Sequence, residues 1–108
     1  MPRQIKPRTL ADLIAAGEPI HLLDVRNADE VAVARIAGSQ FIPLPELQSR
    51  ISEVQPLEGV PVVVYCHHGI RSLTGAALLE RAGFELVYSL TGGIEAWSLQ
   101  IDAAVPRY

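Results

Sequence analysis

At 108 residues the chain has the length of one small domain, 1–108, with enough apolar content (49%) for a core and too little chain for two. Its net charge of −3 and the lack of a basic stripe argue against nucleic-acid binding. No apolar run approaches membrane-spanning length, and Met1-Pro2-Arg3-Gln4-Ile5-Lys6 lacks the long apolar stretch of a secretory signal, so a soluble, cytoplasmic protein without a membrane partner is expected. Short apolar runs alternate with helical segments, the pattern of an α/β domain with a mainly parallel sheet. Thr9 reads as the N-cap of a first helix that Gly17 stops. Ile20 to Val25 is a buried strand, after which Asn27 caps a short helix with Glu30 three residues on. Gln40-Phe41-Ile42 is a short strand ended by Pro43, and Pro45 opens a helix through Leu47 to about Ile51. Val60 to Tyr65 is the most hydrophobic strand, expected at the centre of the sheet. Ser72 to Ala82 is a helix ended by Gly83, with Gly75, Ala76 and Ala77 small enough for close approach to the sheet. Leu86-Val87-Tyr88 is a last strand, and Gly92-Gly93 turns the chain into a helix around Ile94 to Trp97.

Parallel sheets gather their loops at the carboxyl ends of the strands, where such folds bind ligands. Three segments distant in sequence are thereby expected on one rim: Asp24 to Arg26, Cys66 onward, and Leu90 to Gly93. Cys66 is the single cysteine, so neither an internal disulfide nor C-x-x-C metal spacing is possible. Adjacent His67 and His68 beside one cysteine do not make a complete metal site, and no metal is expected.

A lone cysteine at a strand end also suits a small buried hydrophobe. The polar, glycine-containing run His67-His68-Gly69-Ile70-Arg71-Ser72 is a poor wall for an inert thiol, however. If Cys66 opens the loop and Arg71 closes it, six residues precede the helix, with Gly69 supplying the backbone freedom for a tight curl. Successive N–H groups then point inward around Sγ, and the positive end of the following helix adds to them. Both effects favour thiolate and hence nucleophilic chemistry. Arg71, His67 and His68 are further candidate sources of positive charge. Ser72 reads as a helix cap, Thr74 as a helix-face hydroxyl and Trp97 as core packing.

The ordered set of motifs resembles the single-domain rhodanese-like sulfurtransferases. The residues that carry it are Leu22-Leu23-Asp24-Val25-Arg26, Ile36-Ala37-Gly38-Ser39 with Ile42-Pro43-Leu44, and Val63-Val64-Tyr65-Cys66-His67-His68-Gly69-Ile70-Arg71-Ser72. They continue in Ala82-Gly83-Phe84 and Leu90-Thr91-Gly92-Gly93-Ile94-Glu95-Ala96-Trp97. The resemblance implies a rhodanese-like α/β fold with about five strands and helices on both faces. It also implies sulfur transfer through a Cys66 persulfide, from a small anionic sulfur donor such as thiosulfate to a thiol, cyanide or protein, with no cofactor. His67, His68, Gly69, Ile70, Arg71 and Ser72 would bind the substrate, Arg71 attracting the anion, while the histidines either assist or face a protein partner. Asp24 and Arg26 match the first motif and read as supports: the aspartate ties down backbone N–H groups and the arginine pairs with a carboxylate.

The related phosphatases use C-x5-R, whereas here the arginine comes one position earlier, leaving phosphatase or arsenate reductase chemistry as the minor reading. A second reading is a sulfur-delivery or regulatory binding module with little turnover of free thiosulfate. The chain departs from the family pattern in lacking an aromatic residue near Val31 and in having Ala34-Arg35 where Gly-His is common, which alters the rim and its charge. Its tail, from Trp97-Ser98 through Ile101-Asp102 to Val105-Pro106-Arg107-Tyr108, is similar to rhodanese domains fused behind adenylyltransferases that serve sulfur-carrier proteins. Pro106 and Tyr108 would equally suit an anchor for the last turn.

Overall fold

A computed structural model describes residues 2–108. The chain runs through β1 (Arg3–Ile5), α1 (Pro7–Ala15), β2 (His21–Asp24), α2 (Ala28–Val33), β3 (Gln40–Phe41) and α3 (Leu44–Leu47). A 3-10 turn at Ile51–Glu53 leads to β4 (Val62–Tyr65), α4 (Arg71–Arg81), β5 (Val87–Leu90) and α5 (Gly93–Gln100). The strands form one five-stranded sheet in the order β1-β5-β4-β2-β3, and every pairing is parallel.

β4 is central and buried along its whole length, as its uninterrupted Val-Val-Val-Tyr run requires. Its side chains alternate between two cores. Val62, Val64 and Cys66 join Leu23, Val25, Leu47, Ala76 and Leu79 on the face covered by α3 and α4. Val63 and Tyr65 join Leu10, Leu22, Ile94 and Trp97 on the face covered by α1 and α5. Trp97 is thus core packing, and Thr74 lies exposed on α4. A Cβ on Gly75 would come within 3.2 Å of Val64, so α4 lies against the sheet as closely as its small residues allow.

Four local expectations change. The first helix starts at Pro7 with Lys6 as N-cap, not at Thr9, because proline at the first helical position is already set to the required φ. β1 had no apolar run to announce it; it is an edge strand whose Ile5 is paired with Leu90. The helix expected from Pro45 to about Ile51 ends at Leu47. Arg50 leaves the helical region (φ −113°, ψ 18°), and its guanidinium pairs with Glu46 and Glu53 across the break. α4 begins at Arg71, so Ser72 lies inside its first turn and is not the cap.

Register places the functional rim. Asp24 pairs with Tyr65 and Val64 with Ser89, so β2, β4 and β5 end at similar heights. Among the described residues no helix is long and apolar enough to cross a membrane.

Candidate active site

The loop from Cys66 to Ile70 leaves the end of β4 and enters α4. Its outer wall is the start of α5: the Ile94 N–H donates to the Cys66 carbonyl (2.8 Å) and the Glu95 N–H to the His67 carbonyl (3.1 Å). With those carbonyls turned outward, the loop curls so that later N–H groups turn inward. Gly93 makes the contact possible, since a Cβ there would strike the carbonyl oxygens of Cys66 and His67. Gly69 (φ +94°) turns the curl, and a Cβ on it would lie 2.9 Å from the Gly92 nitrogen.

Cys66 is 1% exposed. Its Sγ accepts hydrogen bonds from the N–H groups of Gly69 (3.1 Å) and Ser72 (3.3 Å), the latter in the first turn of α4. The Ser72 hydroxyl is 3.5 Å from the sulfur and 2.7 Å from the hydroxyl of Ser89 on β5. Both serines are fully buried. Sulfur at this position meets two amide dipoles, a hydroxyl and the positive end of an 11-residue helix, an arrangement that stabilises negative charge on it.

Arg71 does not face the sulfur as an unpaired cation. It grips Glu30 of α2 with both terminal nitrogens, at 2.7 and 2.9 Å. The Glu30 carboxylate also accepts the Asn27 N–H (3.1 Å), completing the cap of α2, and the hydroxyl of Tyr108 (2.8 Å). Arg71 first, then Asn27 and Tyr108, hold Glu30 down to about 2 against the opposing effect of burial. The hydrogen bonds to Glu30 first, then the charge of Glu30 and the nearby Cys66, push Arg71 upward. His67 stacks between His68 and Tyr108, with both ring-centroid distances 3.9 Å. Burial and the neighbouring His68 lower its pKa, which weakens His67 as a source of positive charge. His68 and Ile70 are exposed on the rim, and Arg35 is exposed just after α2.

Behind the loop, Arg26 is fully buried and forks onto Asp24, Nε to Oδ1 at 2.9 Å and Nη2 to Oδ2 at 2.6 Å. The same guanidinium donates to the Ala34 carbonyl (2.6 Å) and to the Tyr108 hydroxyl (2.8 Å), while Asp24 Oδ1 accepts the Arg26 N–H (3.0 Å). Burial opposes the charge on Arg26, but the bonds to Asp24 and Tyr108 outweigh it and raise its pKa. The pair joins the end of β2 to α2 and to the tail.

Sequence reasoning brought Asp24, Arg26, Cys66 and the loop to one rim and missed Glu30 as a partner of Arg71, Ser89, and Tyr108 across the rim. In the sequence Glu30 reads only as part of a cap. Ser89 is a lone small polar residue in an apolar strand, a signal that marks a buried hydroxyl needing a partner. Among the described residues no cluster of three or more His, Cys, Asp or Glu suited to a metal occurs.

Residues 6–100 match the family of rhodanese-like domains. The chain belongs to this family. It is 35% identical over 108 aligned residues to the "Probable adenylyltransferase/sulfurtransferase MoeZ" of Mycobacterium tuberculosis, covering 96% of this chain and 26% of that protein. The chain thus spans about a quarter of that relative's length. With the thiosulfate sulfurtransferase GlpE of Coxiella burnetii it shares 42% identity over 78 residues, 72% of this chain and 71% of the relative. Among solved structures, the rhodanese-related protein of Thermoplasma volcanium superposes with a TM-score of 0.80 at 29% identity, over 92% of this chain and 93% of the other. This rhodanese-like domain, built on a five-stranded parallel sheet, is thus a member of the sulfurtransferase family.

Proposed function

We propose that this rhodanese-like domain transfers sulfane sulfur through a persulfide on Cys66. The observation that carries the reading is the double N–H donation to Cys66 Sγ at the start of α4. In the first step the Cys66 thiolate attacks the outer sulfur of a donor such as thiosulfate. A bond forms between Sγ and that sulfur, the bond to the sulfonate sulfur breaks, and sulfite departs with the electron pair. In the second step a thiolate, a cyanide ion or a protein-borne acceptor attacks the terminal sulfur, and Cys66 thiolate is the leaving group. Neither step requires a proton transfer when both sulfurs are ionised, which agrees with a sulfur surrounded by donors rather than by a base. The N–H groups of Gly69 and Ser72 offer the same stabilisation to the thiolate on its departure.

The alternative of phosphate chemistry is disfavoured by Arg71, whose two terminal nitrogens are taken by Glu30 rather than turned toward a bound oxyanion. A second reading, delivery of sulfur to a carrier protein within an adenylyltransferase system, is favoured by the similarity to MoeZ over 96% of this chain. Incubation with thiosulfate followed by intact-mass measurement tests the main reading. One added sulfur atom, removed by cyanide and absent in Cys66→Ser, is the expected result, and hydrolysis of an aryl phosphate without sulfur uptake would refute it.

A further inference from the structure

Three guanidinium groups on the segments around the loop are each matched by a carboxylate. Arg26 is held by Asp24, Arg107 by Glu95 at 2.9 Å, and Arg71 by Glu30 at 2.7 Å. The last pairing differs from the others because Arg71 adjoins the loop that encircles the sulfur. Glu30 is firmly placed beside that loop. Its side chain is 15% exposed, and it is fixed by Asn27 from its own helix and by Tyr108 from the tail as well as by Arg71. The Tyr108 hydroxyl is itself held by Arg26, so the orientation of Glu30 is determined from the buried Asp24–Arg26 pair outward.

We propose that Glu30 is a specificity-determining residue: by occupying Arg71 it turns Cys66 away from free dianionic donors and toward sulfane sulfur carried on an uncharged or protein-bound group. This rests on the sulfur-transfer reading and names the donor class for it. A free dianion approaching Cys66 meets an Arg71 whose two terminal nitrogens are already taken by Glu30, so the attraction an unpaired guanidinium would offer is weakened there. A persulfide presented by a protein needs no such attraction, since its affinity comes from surface outside the loop. The neutral aromatic surface of Tyr108 stacked on His67 at the same rim suits that kind of approach.

Glu30→Gln is a suitable test because glutamine at the third helical position still accepts the capping N–H of Asn27. Two alkylating agents of similar shape, anionic iodoacetate and neutral iodoacetamide, read the charge at the only cysteine independently of any sulfur transfer. In Glu30→Gln the ratio of the iodoacetate rate to the iodoacetamide rate should rise about three- to tenfold at low salt and fall back as salt is added. Glu30→Asp, which keeps the charge, should leave the ratio close to wild type. KM for thiosulfate should fall several-fold in Glu30→Gln with kcat little changed. An unchanged or lower ratio in folded Glu30→Gln would overturn the proposal even if wild-type protein loads sulfur. If the ratio rises but wild-type protein takes sulfur from neither thiosulfate nor a protein persulfide, the sulfur-transfer reading fails and the charge control at Cys66 stands.

Discussion

Ser89 holds Ser72: their hydroxyl oxygens are 2.7 Å apart in a fully buried pocket, with the Ser72 hydroxyl 3.5 Å from the sulfur of Cys66. When Cys66 is ionised, the Ser72 O–H points to sulfur and the Ser89 O–H points to Ser72. Ser72→Ala should slow iodoacetamide alkylation at pH 7 by about three- to tenfold, the net worth of about one ordinary hydrogen bond, as the long 3.5 Å contact implies. Ser89→Ala should slow it by about two- to threefold. Because Ser89 acts through Ser72, the double variant should react no more slowly than Ser72→Ala alone; additive losses would mean that Ser89 acts by another route.

The contact between α5 and the loop predicts unequal costs for two glycines, both at positive φ. Gly93→Ala would drive a methyl group into two backbone carbonyls that α5 holds by hydrogen bonds from Ile94 and Glu95. It should lose about 3 kcal/mol or more in urea unfolding, together with sulfur uptake at Cys66. Gly83→Ala meets no atom within 4 Å, so only backbone strain of about 1 kcal/mol is expected, with Cys66 reactivity intact.

Asp24 and Arg26 are nearly inaccessible to solvent, and removing one strands the other's charge. Asp24→Ala should cost about 3–5 kcal/mol in chemical denaturation. Arg26→Lys should not restore wild-type stability, because an ammonium cannot reproduce the fork onto the carboxylate and the bonds to Ala34 and Tyr108. Wild-type stability in Arg26→Lys would show that the fork geometry contributes little.

The Glu30–Arg71 pair also predicts a pH dependence. The folded-state pKa of Glu30, about 2, lies below its ordinary 4.5. Its contribution to stability is therefore fully present above about pH 5, declines as pH falls through the carboxylate range, and is lost near pH 2. At neutral pH the contribution should be about 2 kcal/mol, reduced from the full linkage value because the Arg71 side chain is 34% exposed. The stability gap between wild type and Glu30→Gln should narrow steadily between pH 5 and pH 2. A gap independent of pH would contradict the ionic contribution.

Much of the fold is legible in the chain because burial leaves local marks. The uninterrupted Val62–Tyr65 run predicts a central strand, and the small residues of α4 predict its close approach to the sheet. The loop around Cys66, the proposed nucleophile, is legible too, since a cysteine followed by polar, glycine-containing sequence at a strand end has few structural uses. What escapes is whatever depends on partners distant in sequence. Arg71 looks like an unpaired cation until Glu30, 41 residues earlier, is found beside it, and Tyr108 looks like a terminal anchor until it bridges Arg26 and Glu30. β1 escapes for a related reason: its three residues acquire strand character only by pairing with β5.

Sulfur transfer through this site requires that the sulfur of Cys66 carry the transferred atom. Its most direct test is the intact mass of the protein after exposure to a sulfane-sulfur donor, with thiosulfate and a protein persulfide compared side by side. The expected result is the gain of one sulfur atom, located on the Cys66 peptide, released by cyanide and absent in Cys66→Ser. Loading of Cys66→Ser, or failure of the wild-type protein to gain sulfur from either donor, would contradict it.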